Sequence, residues 1–554
     1  MGYLMFYVAV IAACLLWSAA CVAAAARTER IWLQRLLTAA AVVVPPLALA
    51  PWLAVTGMLA FKLELTTNWF APTVFAFISA VVGGLSIRSA GQARSASGER
   101  VAAAWPVIGL AALFVMAKAV AGGTLLFIDN AVAAEGRAMR FEAAQIMQST
   151  LPPVPSPDDD AAPLYLRAFE ALASDAAGRA DDSPLAQPVA ADITAPEVAE
   201  LLQRQASTLE LVREACDRPG CRFIRDWSRP SISMLLPEIQ EMRQAARLLA
   251  LAARREAADG DAAGALRDVV CIQRLGMHAA GEPILVCGLV GQAIDTLALQ
   301  TLAAVLPRLK KQDLPLLDGS AGRGLVGTPS SYRRHFLGEE AFGLAMFGDL
   351  ATGGPGMSTL ALLNGLNAPP GDESPLAEPL SLLYRCFLLP ADIAGYRAYM
   401  GRYQQLIAGT ATAPAYSEFR QQVNGLSDAS TLRRAGIVTS VMAPTLSNVL
   451  TSELKGRALH RAAEVLVAAT RARLTGGGLP DAIEALVPGN LPAVPRDPFT
   501  DGKPLLAKRA DDKWIVWSVG PDGEDDGGPP PAGADAEPGN DDVGLRMAVP
   551  AAMP

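Results

Sequence analysis

Residues 237–306 read PEIQEMRQAARLLALAARREAADGDAAGALRDVVCIQRLGMHAAGEPILVCGLVGQAIDTLALQTLAAVL, and this stretch decides how the chain folds. Apolar residues recur three and four positions apart in three blocks. That spacing predicts consecutive helices over Pro237 to Ala258, Ala262 to Ala279 and Pro283 to Leu306. Gly260 and Gly281 mark the breaks, because glycine enters the left-handed conformation that ends a helix without steric penalty. The third block is apolar for about 20 residues, the length that crosses a bilayer. Gln292, Asp295 and Gln300 interrupt it, so a buried core helix is expected in preference to a transmembrane one. The expected class is mainly α.

Toward the N-terminus the character changes. A spanning helix needs about 20 apolar residues because each rises only ~1.5 Å and no water there satisfies an open backbone. Four runs qualify: Leu4 to Ala26, Leu36 to Phe61, Trp69 to Ile87 and Val101 to Phe127, the second kinked by Pro45, Pro46 and Pro51. Arg27, Arg30 and Arg35 follow the first run and Arg88, Arg94 and Arg100 the third, whereas the intervening loop holds only Lys62, offset by Glu64. Basic loops stay in the cytoplasm. The N-terminus and everything after the fourth span are therefore expected outside, with Arg137 and Arg140 a smaller contrary signal. The first run lacks a basic leading segment and three more runs follow, which argues against a cleaved signal peptide. Lys118, in the outer half of the fourth span, can snorkel to the headgroups.

Beyond the spans a juxtamembrane helix is expected over residues 130–149, then a stiff acidic connector with Asp158, Asp159 and Asp160, and a polar stretch from Asp175 to Pro188. Thr194, Pro196 and Glu197 read as a helix start with Thr194 as N-cap, the helix running to Ala215. The junction around Asp259, Gly260 and Asp261 resembles the turn between tetratricopeptide repeats, and the resemblance occurs once, so it implies helix-on-helix packing and no repeat array. Helical patterning returns from Leu380 to Ile407 and from Glu418 to Leu474, with breaks near Gly425 and Pro444. Tyr384, Tyr396, Tyr399 and Tyr403 recur at helical spacing and are read as core.

Net charge is −8, and no cluster of Lys and Arg exists to neutralise phosphates, so nucleic acid is excluded as a partner. Cys216 and Cys221 flank Asp-Arg-Pro-Gly, a turn that would let them form a disulfide in an oxidising compartment or leave two independent thiols. Gly322, Gly324 and Gly327 spell GxGxxG without the strand and helix that would make it a dinucleotide loop, and no organic cofactor is expected. His278, His335 and His460 are too scattered to nominate a zinc site. His335 with Glu339 or Glu340 would share a helical face, either as an acid/base pair or as a solvated polar face.

The C-terminal region carries the densest signal. A helix ends at Gly476-Gly477-Gly478, a turn follows at Asp497-Pro498-Phe499, and Pro504 to Arg509 with Lys513 to Val519 alternate as a β-hairpin. Next comes Ser518-Val519-Gly520-Pro521-Asp522-Gly523-Glu524-Asp525-Asp526-Gly527-Gly528, and ten acidic residues face one lysine between Asp511 and Asp542. This order, over residues 454–546, resembles the C-terminal part of the major pseudopilin of type II secretion systems, where a helix, a turn, a small sheet and an Asp/Gly-rich loop build a calcium site. The resemblance implies calcium ligands at the carbonyls of Val519, Pro521 and Glu524 and the side chains of Asp522, Asp541 and Asp542. Calcium takes six to eight hard oxygens and tolerates irregular loops; the alternative is a disordered acidic tail. The apolar pilin stem is missing from the helix before this module. The whole chain also resembles uncharacterised bacterial membrane proteins that pair N-terminal spans with a helical outer domain.

The expected organisation is a four-helix transmembrane region (1–128), a juxtamembrane helix and acidic linker (129–192), a helical extracytoplasmic domain (193–450), a small α+β module with a β-hairpin (451–546) and a tail (547–554). The expected role is a scaffold or interaction protein of the cell envelope, anchored in the bacterial inner membrane, stabilised by calcium, and contacting the lipid bilayer and a protein partner. The alternative is an envelope-anchored hydrolase with its site in the 335–403 region.

Overall fold

The computed structural model of the protein describes residues 104–174, 183–230, 236–317, 324–328, 331–352, 384–410, 415–442, 444–510, 512–530 and 540–549, with Met234 and positions 20, 30, 32, 33 and 36. Apart from those isolated positions, the first three expected spans lie outside the described residues, as do Gly322 and much of the polar stretch after Asp175. The protein is mainly α, 67% helix, with a three-stranded antiparallel sheet near its C-terminus. The principal helices are α1 (Ala104–Thr150), α2 (Ala162–Ser174), α3 (Pro196–Arg204), α4 (Ala206–Asp217), α5 (Pro237–Asp259), α6 (Ala262–Ala279), α7 (Leu285–Val305), α8 (Arg333–Thr352), α9 (Leu389–Thr410), α10 (Tyr416–Ser427), α11 (Ala429–Ala435), α12 (Ile437–Met442) and α13 (Pro444–Ala472). The chain divides into two compact units, residues 1–139 with 347–393 and residues 140–346 with 394–554.

In the first unit, α1 begins inside the expected fourth span and continues without a break through the segment read as a separate juxtamembrane helix. Its 47 residues make it about 70 Å long at ~1.5 Å per residue. Gly136 lets α1 approach α8 closely: a Cβ there would lie 2.6 Å from the Ala351 methyl. Asp129, fully buried, forms an ion pair with Arg385, and Tyr384 donates to Asp392 at 2.5 Å.

In the second unit, α5, α6 and α7 are the three helices expected from residues 237–306, and each packs on the next. Gly260 takes φ 91° and the Asp261 N–H reaches back to the Glu256 carbonyl at 2.9 Å, closing a left-handed C-terminal turn. Asp261 then caps α6 by accepting the Gly264 N–H at 2.9 Å. Where α6 crosses α7 both helices present glycine, and a Cβ on Gly291 would stand 2.6 Å from the Gly276 carbonyl oxygen. α7 is the described helix long and apolar enough to cross a membrane, yet half of its apolar window is buried within the chain. Its Asp295 accepts from His460 of α13 at 2.6 Å, which accounts for a carboxylate in so apolar a helix.

At two places the local structure departs from expectation. Thr194 does not cap α3. Its hydroxyl and N–H both turn to Asp192 Oδ1, at 2.7 and 2.9 Å, and Ala195 occupies the cap without a side-chain bond. That helix also stops at Arg204 and resumes as α4 at Ala206, where buried Gln205 accepts from Thr208 at 2.8 Å. The break expected near Gly425 falls instead at Asp428, which caps α11.

The sheet has the order β1 (Leu506–Ala510), β2 (Lys513–Ser518), β3 (Val543–Ala548), with Leu506 opposite Trp517 and Trp514 opposite Met547. The hairpin β1–β2 was expected; β3 was not. From Trp514 to Ser518 every residue of β2 is buried, because both faces are covered. Trp514 and Val516 join Leu545, Met547, Leu466 and Leu302 in one core, so the sheet closes the helical bundle. Ile515 and Trp517 lie under Gly528, where a Cβ would stand 3.5 Å from Ile515 Cγ2.

Candidate functional site

The loop from Val519 to Pro530 folds over the outer face of β2 and meets the strand that follows it. Its anchor is Asp497, buried in the Asp-Pro-Phe turn, whose Oδ1 accepts from Phe499 N at 2.8 Å and Ser518 Oγ at 2.6 Å and whose Oδ2 accepts from Val519 N at 3.0 Å. One carboxylate thus ties the turn to the exit of the hairpin. Gly520 follows at φ 71°, and a Cβ there would lie 1.9 Å from the Asp541 carbonyl oxygen, so only glycine lets the loop and the chain end touch. Trp517 Nε1 and Gly527 N both donate to Asp525 Oδ1, each at 3.0 Å, and Asp541 N donates to Asp526 Oδ2 at 3.2 Å.

Asp542 is the centre of this arrangement. Only 6% exposed, it accepts the Gly528 N–H through Oδ2 at 2.7 Å, while Oδ1 is buried with no hydrogen-bond partner. Burial, with Asp525 and Asp526 close by, pushes its carboxyl up to about 6.

Val519, Asp541 and Asp542 of the nominated ligands come together beside Gly520. Pro521 and Asp522 turn toward α10, where the Pro521 carbonyl accepts from Tyr416 at 2.6 Å and the Asp522 carbonyl from Arg420 at 2.8 Å. The Asp522 side chain accepts the Glu524 N–H at 3.1 Å. Asp525, Asp526, Asp497 and Arg420 were not nominated. The first two were visible as charge only, since nothing in their spacing tells which carboxylates face inward. Among the described residues no three His, Cys, Asp or Glu side chains converge as a metal-holding group.

The other candidates resolve differently. His335 is 2% exposed, with Nε2 3.0 Å from the Ala280 carbonyl, and burial lowers its pKa to about 4. Glu339 and Glu340 are half-buried and burial raises both, so the solvated polar face expected for this trio is not what the chain builds. Glu340 is held by Gln404, and Tyr396 donates to the Glu339 carbonyl at 3.2 Å. His278 contacts Tyr165 at 2.9 Å and His460 contacts Asp295, so each histidine has a separate partner. Tyr384, Tyr396, Tyr399 and Tyr403 are all buried, as their spacing suggested. Cys216 and Cys221 are free thiols: Cys216 donates to the Cys271 carbonyl at 3.2 Å, and burial pushes both thiols well up. Sequence reasoning also missed two partly buried ion networks, Arg213 with Glu256 and Asp268, and Arg225 with Glu238 and Glu282, whose paired residues lie 13 to 57 positions apart.

Compared with known proteins, the chain matches no family model, no curated protein and no solved structure.

Proposed function

We propose that the protein is a membrane-anchored scaffold of the bacterial cell envelope whose C-terminal module is a calcium-stabilised cap on a helical extracytoplasmic domain. The observation that carries the cap is the orphaned, buried Oδ1 of Asp542 beside Asp525 and Asp526. A buried carboxylate oxygen without a donor is costly, and a hard divalent cation is the ligand that relieves it. Asp542, with backbone carbonyls of the loop and of Asp541, would hold the ion, and Asp525 and Asp526 would add negative potential close by; the cation supplies charge neutralisation and cross-links loop to chain end. The Asp522 carbonyl is served by the Arg420 cation, which disfavours calcium there. Anchoring rests on the four apolar runs and the arginine asymmetry around them, and the scaffold role on the long packed helices; the bilayer and an envelope protein are the partners of this reading.

The test uses full-length protein in an uncharged detergent. Calcium should raise the melting temperature over a chelator control, and Asp542→Asn should lose that response while remaining folded. An unchanged melt with calcium, or a variant that responds like the parent, would remove the cap. Alkaline phosphatase fused after residue 140 should be active; activity of a cytosolic reporter there instead would overturn the anchoring.

A further inference from the structure

Away from the sheet, a cavity of about 250 Å³ opens between α5, α7 and the loop of residues 186–190. Arg243 and Arg247 of α5 stand one helical turn apart on its wall, and no Asp or Glu lines it. Neither guanidinium makes a hydrogen bond or ion pair with any described residue. Elsewhere in this unit arginines do find carboxylates, as Arg213 and Arg225 each find two. Like charges four residues apart on a helix repel, so this pair destabilises the ligand-free helix. Partial burial and the Arg243 charge both push the Arg247 guanidinium down, as expected of two cations sharing a site without a counter-charge.

The rest of the lining divides by chemistry. Ala246, Ile294 and Leu297 make an apolar wall, and Gln187 and Gln300 supply neutral hydrogen-bonding groups. The loop side is held in place from behind, because Arg254 donates through Nη1 to the carbonyls of Pro188 at 2.5 Å and Ala191 at 3.0 Å. The cavity is therefore built by ordered elements. Its size is just under the ~300 Å³ at which ligand pockets usually begin, which suits a small molecule.

We propose that this cavity binds a small organic dianion, a phosphate monoester with a short aliphatic body, its phosphate on Arg243 and Arg247 and its carbons on Ile294 and Leu297. Two guanidinium forks match two negative charges, and their planar donors pair with phosphate oxygens. The apolar wall gives an organic ester an advantage over the bare ion, since each buried CH₂ strengthens binding roughly fourfold.

Calorimetric titration of the full-length protein in an uncharged detergent tests this with n-butyl phosphate, inorganic phosphate and dihexanoyl phosphatidic acid. The expected order is n-butyl phosphate tightest, with inorganic phosphate about tenfold or more weaker. Arg243→Met and Arg247→Met, which keep an unbranched stem, should each weaken n-butyl phosphate by at least about tenfold. They should leave the ligand-free melting temperature unchanged or raised, because a repulsion is removed. Leu297→Trp, which fills the apolar side, should erase the preference for the ester. Absence of saturable n-butyl phosphate binding at millimolar concentration, equal binding by the methionine variants, or a lowered ligand-free melt in them would each overturn the proposal. So would tighter binding of the phosphatidic acid, whose two acyl chains cannot enter so small a space; that result would assign the arginines to a lipid headgroup.

Discussion

Asp497 shows how one side chain can organise a module. Its three accepted hydrogen bonds join a turn, a strand end and a loop, and none can be transferred to water because the carboxylate is 2% exposed. Asp497→Ala should therefore lower unfolding stability by about 3 kcal/mol in chemical denaturation, since each orphaned buried donor costs roughly 1–3 kcal/mol. Asp542 makes the opposite case. Its folded pKa of about 6 lies above the ordinary carboxylate value, so its protonated form stabilises the fold; that contribution is complete below about pH 4 and is lost as pH rises through about 6. Without calcium, the melting temperature of the parent relative to Asp542→Asn should fall across this window. Calcium at pH 7 should reverse the difference. The Asp-Pro-Phe turn was legible in the sequence, but the role of Asp497 was not, because its partners Ser518 and Val519 lie more than twenty residues downstream.

At the scale of elements, glycine has two opposite roles. Gly276 and Gly291 let α6 and α7 touch backbone to backbone, so Gly291→Val should cost about 2–3 kcal/mol through overpacking, read as a lowered thermal midpoint. Gly401 sits inside α9, where an added Cβ would meet nothing within 4 Å, so Gly401→Ala should stabilise by about 0.5–1 kcal/mol. Periodicity revealed α5, α6 and α7 almost to the residue, since a 3.6-residue repeat and a left-handed glycine are local properties. The Thr194 cap failed for an equally local reason: Asp192 competes for the same hydroxyl and N–H. β3 escaped notice because a short, glycine-containing strand becomes one only when β2 offers an unpaired edge.

At the scale of the whole molecule, the last strand shares a core with helices begun some 280 residues earlier, since Leu545 and Met547 pack in the same cluster as Ala265 and Leu302. A ligand that holds the chain end should therefore stabilise the entire second unit and not the sheet alone. At calcium a hundredfold above its dissociation constant the gain is about 2.7 kcal/mol, expected as an upward shift of one cooperative transition. Separate melting of sheet and helices would contradict that coupling. By itself the sequence determined what is local: helices from periodicity, breaks from glycine, a hairpin from alternation and an acidic loop from composition. Tertiary structure alone decided which carboxylate oxygen of the acidic loop was buried without a donor, which arginines were left facing a cavity, and which partner each histidine met. Those outcomes depend on contacts between residues tens to hundreds of positions apart, and no short-range pattern encodes the desolvation that distinguishes a buried charge from a solvated one.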